Sequence, residues 1–432
     1  MEQQTGTLLS SLTTVVEDRD TRARYAVDGI VPHAVLLPSS EAEIAAVLQA
    51  AAQAGEVVVP WGAGTMQDLG GPPERVDLVL SLEKLDRVID YVPADMTITV
   101  EAGMRFADLE ALTARHGQTV PLDPPQAAEA TIGGIVATAA SGPRRMACGG
   151  VRDFLLGARV ALPNGRVVKA GGKVVKNVAG YDMPKLIVGS LGTLGIITEV
   201  SLKLRPLPAD SRTLLFGFAG LDGALVAAEA ILNSELLPSA LAVLTPGAGR
   251  RLGAPGPVSL AIALEETSEN NAYQAKRISE MLQANTGSAG LAGEAESDFW
   301  DRLRNYGDRF GAAFRIRVNT VIGDLEQQLQ ACLLPDGPVE LDGIAYAPGG
   351  TVMLYGFADG GEAPVLAEAV RTRLAAANAA GGSAVLESAP AALRRQVDVW
   401  GPVRPEWKFA AAIKKAFDPS RILNRGRFVG GI

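Results

Sequence analysis

Residues 171–205 read GGKVVKNVAGYDMPKLIVGSLGTLGIITEVSLKLR. The stretch opens with the run Lys176–Asp182. It then reaches Gly189-Ser190-Leu191-Gly192-Thr193-Leu194-Gly195-Ile196-Ile197-Thr198, with glycine at every third position, and continues into β-branched residues. This spacing predicts a turn feeding a strand, with backbone free to approach a flat or charged ligand closely.

Two other segments share that character. Pro60-Trp61-Gly62-Ala63-Gly64-Thr65-Met66 follows the short apolar run Glu56–Val59, as a phosphate-cradling loop does. Glycines there let successive N–H groups turn toward an anion, and Thr65 adds a hydroxyl. A Rossmann nicotinamide site needs Gly-x-Gly-x-x-Gly opening directly into a helix. Here Gln67 and then Leu69-Gly70-Gly71-Pro72-Pro73 follow, which cannot start that helix. On its own the loop also reads as an ordinary surface turn. The second segment is Pro121-Leu122-Asp123-Pro124-Pro125 followed by Ala130-Thr131-Ile132-Gly133-Gly134-Ile135-Val136-Ala137-Thr138. Paired glycines in an apolar run are poor strand or helix material, so this segment too is expected to serve a ligand.

In order and wording these motifs resemble the vanillyl-alcohol-oxidase-type FAD flavoproteins. Within them the chain is most similar to the FAD-binding accessory (E-type) subunits of bacterial glycolate oxidase. The likeness covers roughly residues 30–210. It returns at Phe417-Asp418-Pro419-Ser420-Arg421-Ile422-Leu423-Asn424-Arg425-Gly426-Arg427, where Arg425 replaces the usual proline. The resemblance implies an α+β fold: a two-part FAD-binding domain of the p-cresol-methylhydroxylase (PCMH) type and an antiparallel-sheet cap. It implies pyrophosphate contacts from Gly62, Ala63, Gly64, Thr65 and Met66 and from the segment Thr131 to Gly134 (Thr131, Gly133, Gly134), with Pro60, Trp61, Pro124 and Ala137 also cofactor-binding. The stretch Gly195 to Thr198 (Gly195, Ile196, Ile197, Thr198) is placed by the adenine, and Asn424 near the flavin. Ser141, Gly142 and Arg144 fall in a flavin-proximal loop, whose arginines (Arg144, Arg145, Arg152) read either as anion-stabilising groups or as structural ion pairs. The first loop holds no histidine, so the FAD is expected to be non-covalent. The implied partners are a homologous catalytic FAD subunit and an iron–sulfur subunit of a glycolate dehydrogenase complex, through which the chain would lie peripheral to a membrane.

The chain departs from autonomous 2-hydroxy-acid dehydrogenases of that fold. It lacks their His-x-Gly-Asp-Gly-Asn run, and Leu191 stands where they carry glutamate. Ile135 and Ala139 replace asparagines. A hydroxy acid loses a proton as well as a hydride, and the flavin takes only the hydride. Tyr181, Tyr346 and Tyr355 are the remaining candidate bases for a self-sufficient enzyme. A third reading is a structural subunit with a vestigial FAD site. Arg304, Arg315 and Arg317 read as carboxylate ligands or as ion-paired residues, and Trp400 and Trp407 as packing anchors.

The bulk properties agree with this outline. At 432 residues, with 47% hydrophobic and 20% charged, the chain is globular and large enough for two or three lobes. A net charge of −8 argues against nucleic-acid binding. The first residues lack the charged and apolar regions of a signal peptide, and no stretch has the length of a membrane span. Cys148 and Cys332 are isolated, which fits a reducing cytoplasm. His33 and His116 are the only histidines, a loop residue and a helix-end residue, and the C-terminal half has none. That leaves no donor set for a histidine-based metal site there.

The pattern divides the chain into an FAD domain over 1–208 (subdomains about 1–92 and 93–208), an α+β cap over 209–395, and a C-terminal return over 396–432. Residues 1–30 are expected to form an amphipathic helix ending in a turn. A helix from Ser40 to about Ala54 carries Glu43 at the capping-box position and Gly55 as its stop. Strands are expected near 78–82, 87–91 and 97–101, and a helix over 106–115. Strands 157–162 and 166–170 flank Pro163-Asn164-Gly165. In the cap, strands 213–218, 259–264 and 352–355 alternate with helices 221–232, 272–282 and 364–379, expected on one face of the sheet. A last helix spans 406–416.

Overall fold

The computed structural model describes residues 9–172, 182–282, 286–333, 338–358, 360 and 362–432. The run through Tyr181, including most of the Lys176–Asp182 motif, lies outside them. The described chain forms two compact units. The first comprises Met1–Ser141, Gly150–Leu207 and Pro402–Ile432; the second comprises Gly142–Gly149 and Pro208–Gly401.

The first unit holds two sheets. One has the order Thr14–Val16, Ala34–Leu37, Leu78–Ser81, Val58–Trp61, with its last three strands parallel. Residues 9–12 are helical as expected, but the helix does not run on to residue 30: β-branched Thr14-Val15-Val16 pairs antiparallel with Val35–Leu37, and a short helix, Arg19–Ala23, follows. The crossover helix Glu41–Ala54 starts where Ser40 Oγ accepts from Glu43 N and ends at Gly55 in the left-handed region. The Glu43 carboxylate reaches back one residue further than a capping box requires, accepting from Ser39 N at 3.0 Å. This helix buries Ile44, Val47, Leu48 and Ala51.

The second sheet is antiparallel, in the order Val88–Val92, Thr97–Glu101, Ile196–Lys203, Leu155–Ala161, Val167–Gly171. Its hairpin turns at Gly165, φ 77°. Strand Ile196–Lys203, into which the glycine-spaced motif runs, is central and nearly all buried. Glu41 ties it to the crossover helix. The Glu41 carboxylate takes two bonds from Arg159, at 2.5 and 2.9 Å, and one from Thr198 Oγ1 at 2.7 Å.

Those bonds, from Arg159 first, hold the Glu41 carboxyl below its ordinary 4.5. A depressed folded-state value stabilises the protein above pH 4.5, and that contribution is lost as pH falls through the folded value. Glu41→Gln is therefore expected to cost about 1–2 kcal/mol at neutral pH. Urea unfolding as a function of pH checks this: the gap to wild type closes only on the acid side of 4.5.

The second unit is built on an eight-stranded antiparallel sheet. Its order is Gly287–Leu291, Asp210–Phe218, Val258–Glu266, Ala240–Leu244, Glu340–Tyr346, Thr351–Phe357, Phe314–Asn319, Ser383–Ser388. Helices cover both faces, not one. Leu241 and Val243 join a core with helices Leu221–Leu232, Ser268–Met281 and Ala363–Ala379. Ala240, Ala242 and Leu244 join another with helices Pro246–Leu252 and Glu294–Arg304. A strand buried on both faces reads as a continuous apolar run, and ALAVL has no polar face to mark solvent.

Candidate functional site

Four segments of the first unit converge on one cavity, with about 870 Å³ of space between its walls, part of it open to solvent. They are the loop after strand Val58–Trp61, the Pro124–Ala140 region, the glycine-spaced motif, and the C-terminal return. Pro60, Trp61, Gly62, Ala63, Gly64, Thr65, Met66, Pro124, Thr131, Gly133, Gly134, Ala137, Gly195, Ile197 and Asn424 all line it.

The first wall is the loop 62–66. Among the described residues, the N–H groups of Gly62, Ala63, Gly64 and Thr65 find no backbone acceptor. Consecutive uncommitted amides form a concave donor surface suited to an anion. Gly64 is left-handed, φ 75°, and wraps against the Trp61 indole, which itself meets the Tyr25 ring at 5.3 Å.

The second wall is the Gly-Gly segment, whose Thr131, Gly133 and Gly134 line the cavity. Ile132–Thr138 is a helix despite its glycines, and Thr131 caps it, its Oγ1 accepting from Gly134 N. Tertiary bonds outweigh poor propensity: Ile132 N and Gly133 N donate to Met104 O and Ala102 O at 2.9 and 2.8 Å. The glycines serve close packing of chain on chain. A Cβ on Gly133 would sit 2.7 Å from Ala102 Cβ, and one on Gly62 would strike the Thr131 hydroxyl.

The third wall is the motif itself. Leu191 and Gly192 both take left-handed backbone, φ 52° and 67°. Leu191 N donates to Ala137 O at 2.8 Å, and a Cβ on Gly192 would lie 2.5 Å from Pro60 Cγ. The fourth wall is the C-terminal return. Val58 N donates to Ile422 O at 2.7 Å and Asn424 N to Val58 O at 3.0 Å, so the chain end runs parallel beside strand Val58–Trp61. Asn424 Nδ2 donates to Leu191 O at 2.6 Å, while its buried Oδ1 has no partner among the described residues. Arg427 also lines the cavity and bonds Gln67 O and Leu69 O.

The remaining four expected residues lie elsewhere. Thr198 is turned to Glu41, outside the cavity lining. Ser141 ends a segment of the first unit, and Gly142 and Arg144 belong to the second. Arg144 pairs with Glu265 at 2.6 Å and lies over the Trp300 ring, which favours the ion-pair reading of this arginine. Arg315 and Arg317 both pair with Glu387, and Arg304 with Asp301. Tyr355 is fully enclosed, and burial drives its phenol well above the ordinary range, so it keeps its proton. The sequence did not mark Leu191, Gly192 or Arg427 as lining residues; the three-residue glycine spacing was the available signal for the first two.

Residues 32–171 match a family model described as "FAD binding domain". This stretch is an FAD-binding domain. The cavity fits that cofactor, with uncommitted amides for a pyrophosphate and the orphaned Asn424 Oδ1 to accept from a donor.

The chain is 34% identical to the glycolate oxidase subunit GlcD of Bacillus subtilis over 214 residues, covering 50% of this chain and 46% of that one. It is 44% identical to the subunit GlcE of Escherichia coli over 128 residues, 29% of this chain and 37% of that one. A D-2-hydroxyglutarate dehydrogenase of Xanthomonas citri is 35% identical over 191 residues, 44% and 40% of the two chains. The matches thus span less than half the length of these relatives. Among solved structures, alkyldihydroxyacetonephosphate synthase superposes with a TM-score of 0.77 over 98% of this chain and 86% of that one, at 18% identity. p-Cresol methylhydroxylase gives 0.73 over 98% and 96%, at 17% identity. The fold is therefore the PCMH-type α+β fold.

Proposed function

We propose that this chain is the FAD-binding accessory subunit of a glycolate dehydrogenase complex, supporting oxidation of glycolate to glyoxylate. A homologous catalytic flavin subunit and an iron–sulfur subunit would carry the electrons onward. The observation that carries this reading is the fourfold-walled cavity on a domain related to both glycolate oxidase subunits. Bound FAD supplies a hydride acceptor. The chain's own part is to hold it non-covalently, with the uncommitted amides of residues 62–65 as the anion-binding set, Thr131–Gly134 as the facing wall and Asn424 beside them.

An accessory role, not a self-sufficient one, is favoured by the scarcity of bases. Both histidines precede residue 117, and Tyr355 holds its proton by burial. Arg304, Arg315 and Arg317, the arginines a carboxylate substrate would need, are each paired with an acid. In this reading residues 1–208 and 396–432 form the FAD domain and 209–395 the cap, and the complex works in the cytoplasm, peripheral to the membrane.

The test is an anaerobic visible spectrum of the purified chain, before and after adding glycolate. A flavin band that persists, and bleaches only when the partner subunits are added, is the expected result. Bleaching by the isolated chain would make it an autonomous 2-hydroxy-acid dehydrogenase instead. Colourless protein that takes up no added FAD would overturn the cofactor role.

A further inference from the structure

Helix Trp407–Phe417 has one buried residue, and it is a lysine. Lys414 is 3% exposed. Its ammonium has three hydrogens and meets three acceptors: Asp418 Oδ2 at 2.7 Å, Thr193 O at 2.8 Å and Leu423 O at 2.9 Å. Asp418 is fully buried and gives its remaining capacity to the N–H groups of Ile422 and Leu423, at 3.2 and 2.8 Å. A buried ion pair persists when its hydrogen-bonding capacity is filled in this way.

Lys414 does not line the cofactor cavity, but each backbone carbonyl it holds adjoins a residue that does. Thr193 follows Leu191-Gly192, and Leu423 precedes Asn424. The loop at Leu191-Gly192 needs holding, because left-handed backbone is disfavoured for leucine. It is tied to helix Ile132–Thr138 through Gly189 N to Val136 O and Leu191 N to Ala137 O. On the opposite side, side chains of the C-terminal return reach its carbonyls: Asn424 at Leu191 O and Lys414 at Thr193 O. An aliphatic side chain at 414 would fill the space and join nothing.

We propose that Lys414 is a positioning residue for the cofactor: with Asp418 it locks loop 189–195 to segment 422–427 and so fixes the distance between two walls of the FAD cavity. Burial lowers the ammonium's proton affinity and the Asp418 carboxylate partly offsets that effect; the three acceptors within 2.9 Å are what fit the three-donor form. The inference rests on the reading of this cavity as the FAD site.

Lys414→Met keeps the side-chain length and removes all three donors. Equilibrium dialysis of the full chain against FAD is expected to show binding weaker by about ten-fold or more. The visible circular dichroism of the bound flavin should change with it, since the walls have shifted. A folded Lys414→Met protein that binds FAD within about two-fold of wild type, with unchanged flavin dichroism, would overturn the positioning role. Should that variant not fold, hydrogen exchange on the wild-type chain decides. Joint protection of 189–195 and 422–425 on adding FAD supports the lock, and absence of protection in either segment refutes it. Wild-type protein that binds no FAD would bring down the cofactor reading itself, a separate outcome from equal binding by both proteins.

Discussion

Gly133→Val is expected to purify without flavin. The Gly133 N–H donates to Ala102 O at 2.8 Å, so the helix backbone rests directly on the residue that follows strand Thr97–Glu101. A Cβ at this position would lie 2.7 Å from Ala102 Cβ and 2.8 Å from Ala102 O, closer than real Cβ atoms come. Ala102 is fully buried and has nowhere to yield. The helix must therefore move outward, and it carries Thr131 and Gly134, both part of the cavity wall. Overpacking of this kind costs about 1–3 kcal/mol in stability. The loss in FAD affinity should exceed that, at roughly 100-fold or more, because the displaced helix start takes with it a cavity wall and the support on which the loop of uncommitted amides at 62–65 packs, Gly62 lying against Thr131. The check is the ratio of flavin to protein absorbance after dialysis, with Gly323→Ala as the control, since a Cβ there meets nothing within 4 Å. Stoichiometric FAD on Gly133→Val would sink the argument.

The cavity was legible where its walls are written in local chemistry. Glycines at every third position around Leu191, and Gly62 and Gly64 after an apolar strand, announce backbone under close approach, and both loops do line the cavity. Helix Glu41–Ala54 was legible for the same reason: Ser40 and Gly55 are signals read over a few residues. Signals that depend on distant partners were not. Thr131 can cap a glycine-bearing helix only because Met104 and Ala102 supply acceptors for it. Arg144 finds its acid at Glu265, across 121 residues of chain. Lys414-Lys415 in an alanine-rich helix reads as a solvated face, whereas Lys414 is turned inward toward a carbonyl contributed by Thr193, 221 residues away. Strand Thr14–Val16 was misread for a related reason. A short run of consecutive β-branched residues shows neither period, and the pairing with Val35–Leu37 decides the outcome.

Asp342 shows the same dependence in the second unit, and its removal is expected to be the costliest single change there. The carboxylate is fully buried. Its Oδ2 accepts from the Tyr306 hydroxyl at 2.6 Å and from Arg251 Nε at 2.9 Å, while Arg251 lies over the Phe357 ring at 4.1 Å. Gly247 is required beside it, because a Cβ there would strike Oδ1. Burial first, and the bond to Asp342 second, push the Tyr306 phenol far above its ordinary value, so it remains a donor throughout the working pH range. Asp342→Ala strands both donors. Breaking a buried pair costs about 3–5 kcal/mol. The lower end applies here, because Arg251 is partly exposed and also bonds Glu340 at 3.0 Å, whereas Tyr306 is wholly enclosed and has no such second acceptor among the described residues. Asp342→Asn keeps the shape and an acceptor for Tyr306, so it should cost about half as much. Urea unfolding of the two variants separates the contributions. Equal losses would mean that the charge on Arg251 carries the whole effect, and a loss below about 1 kcal/mol for the alanine variant would mean that the cluster is idle.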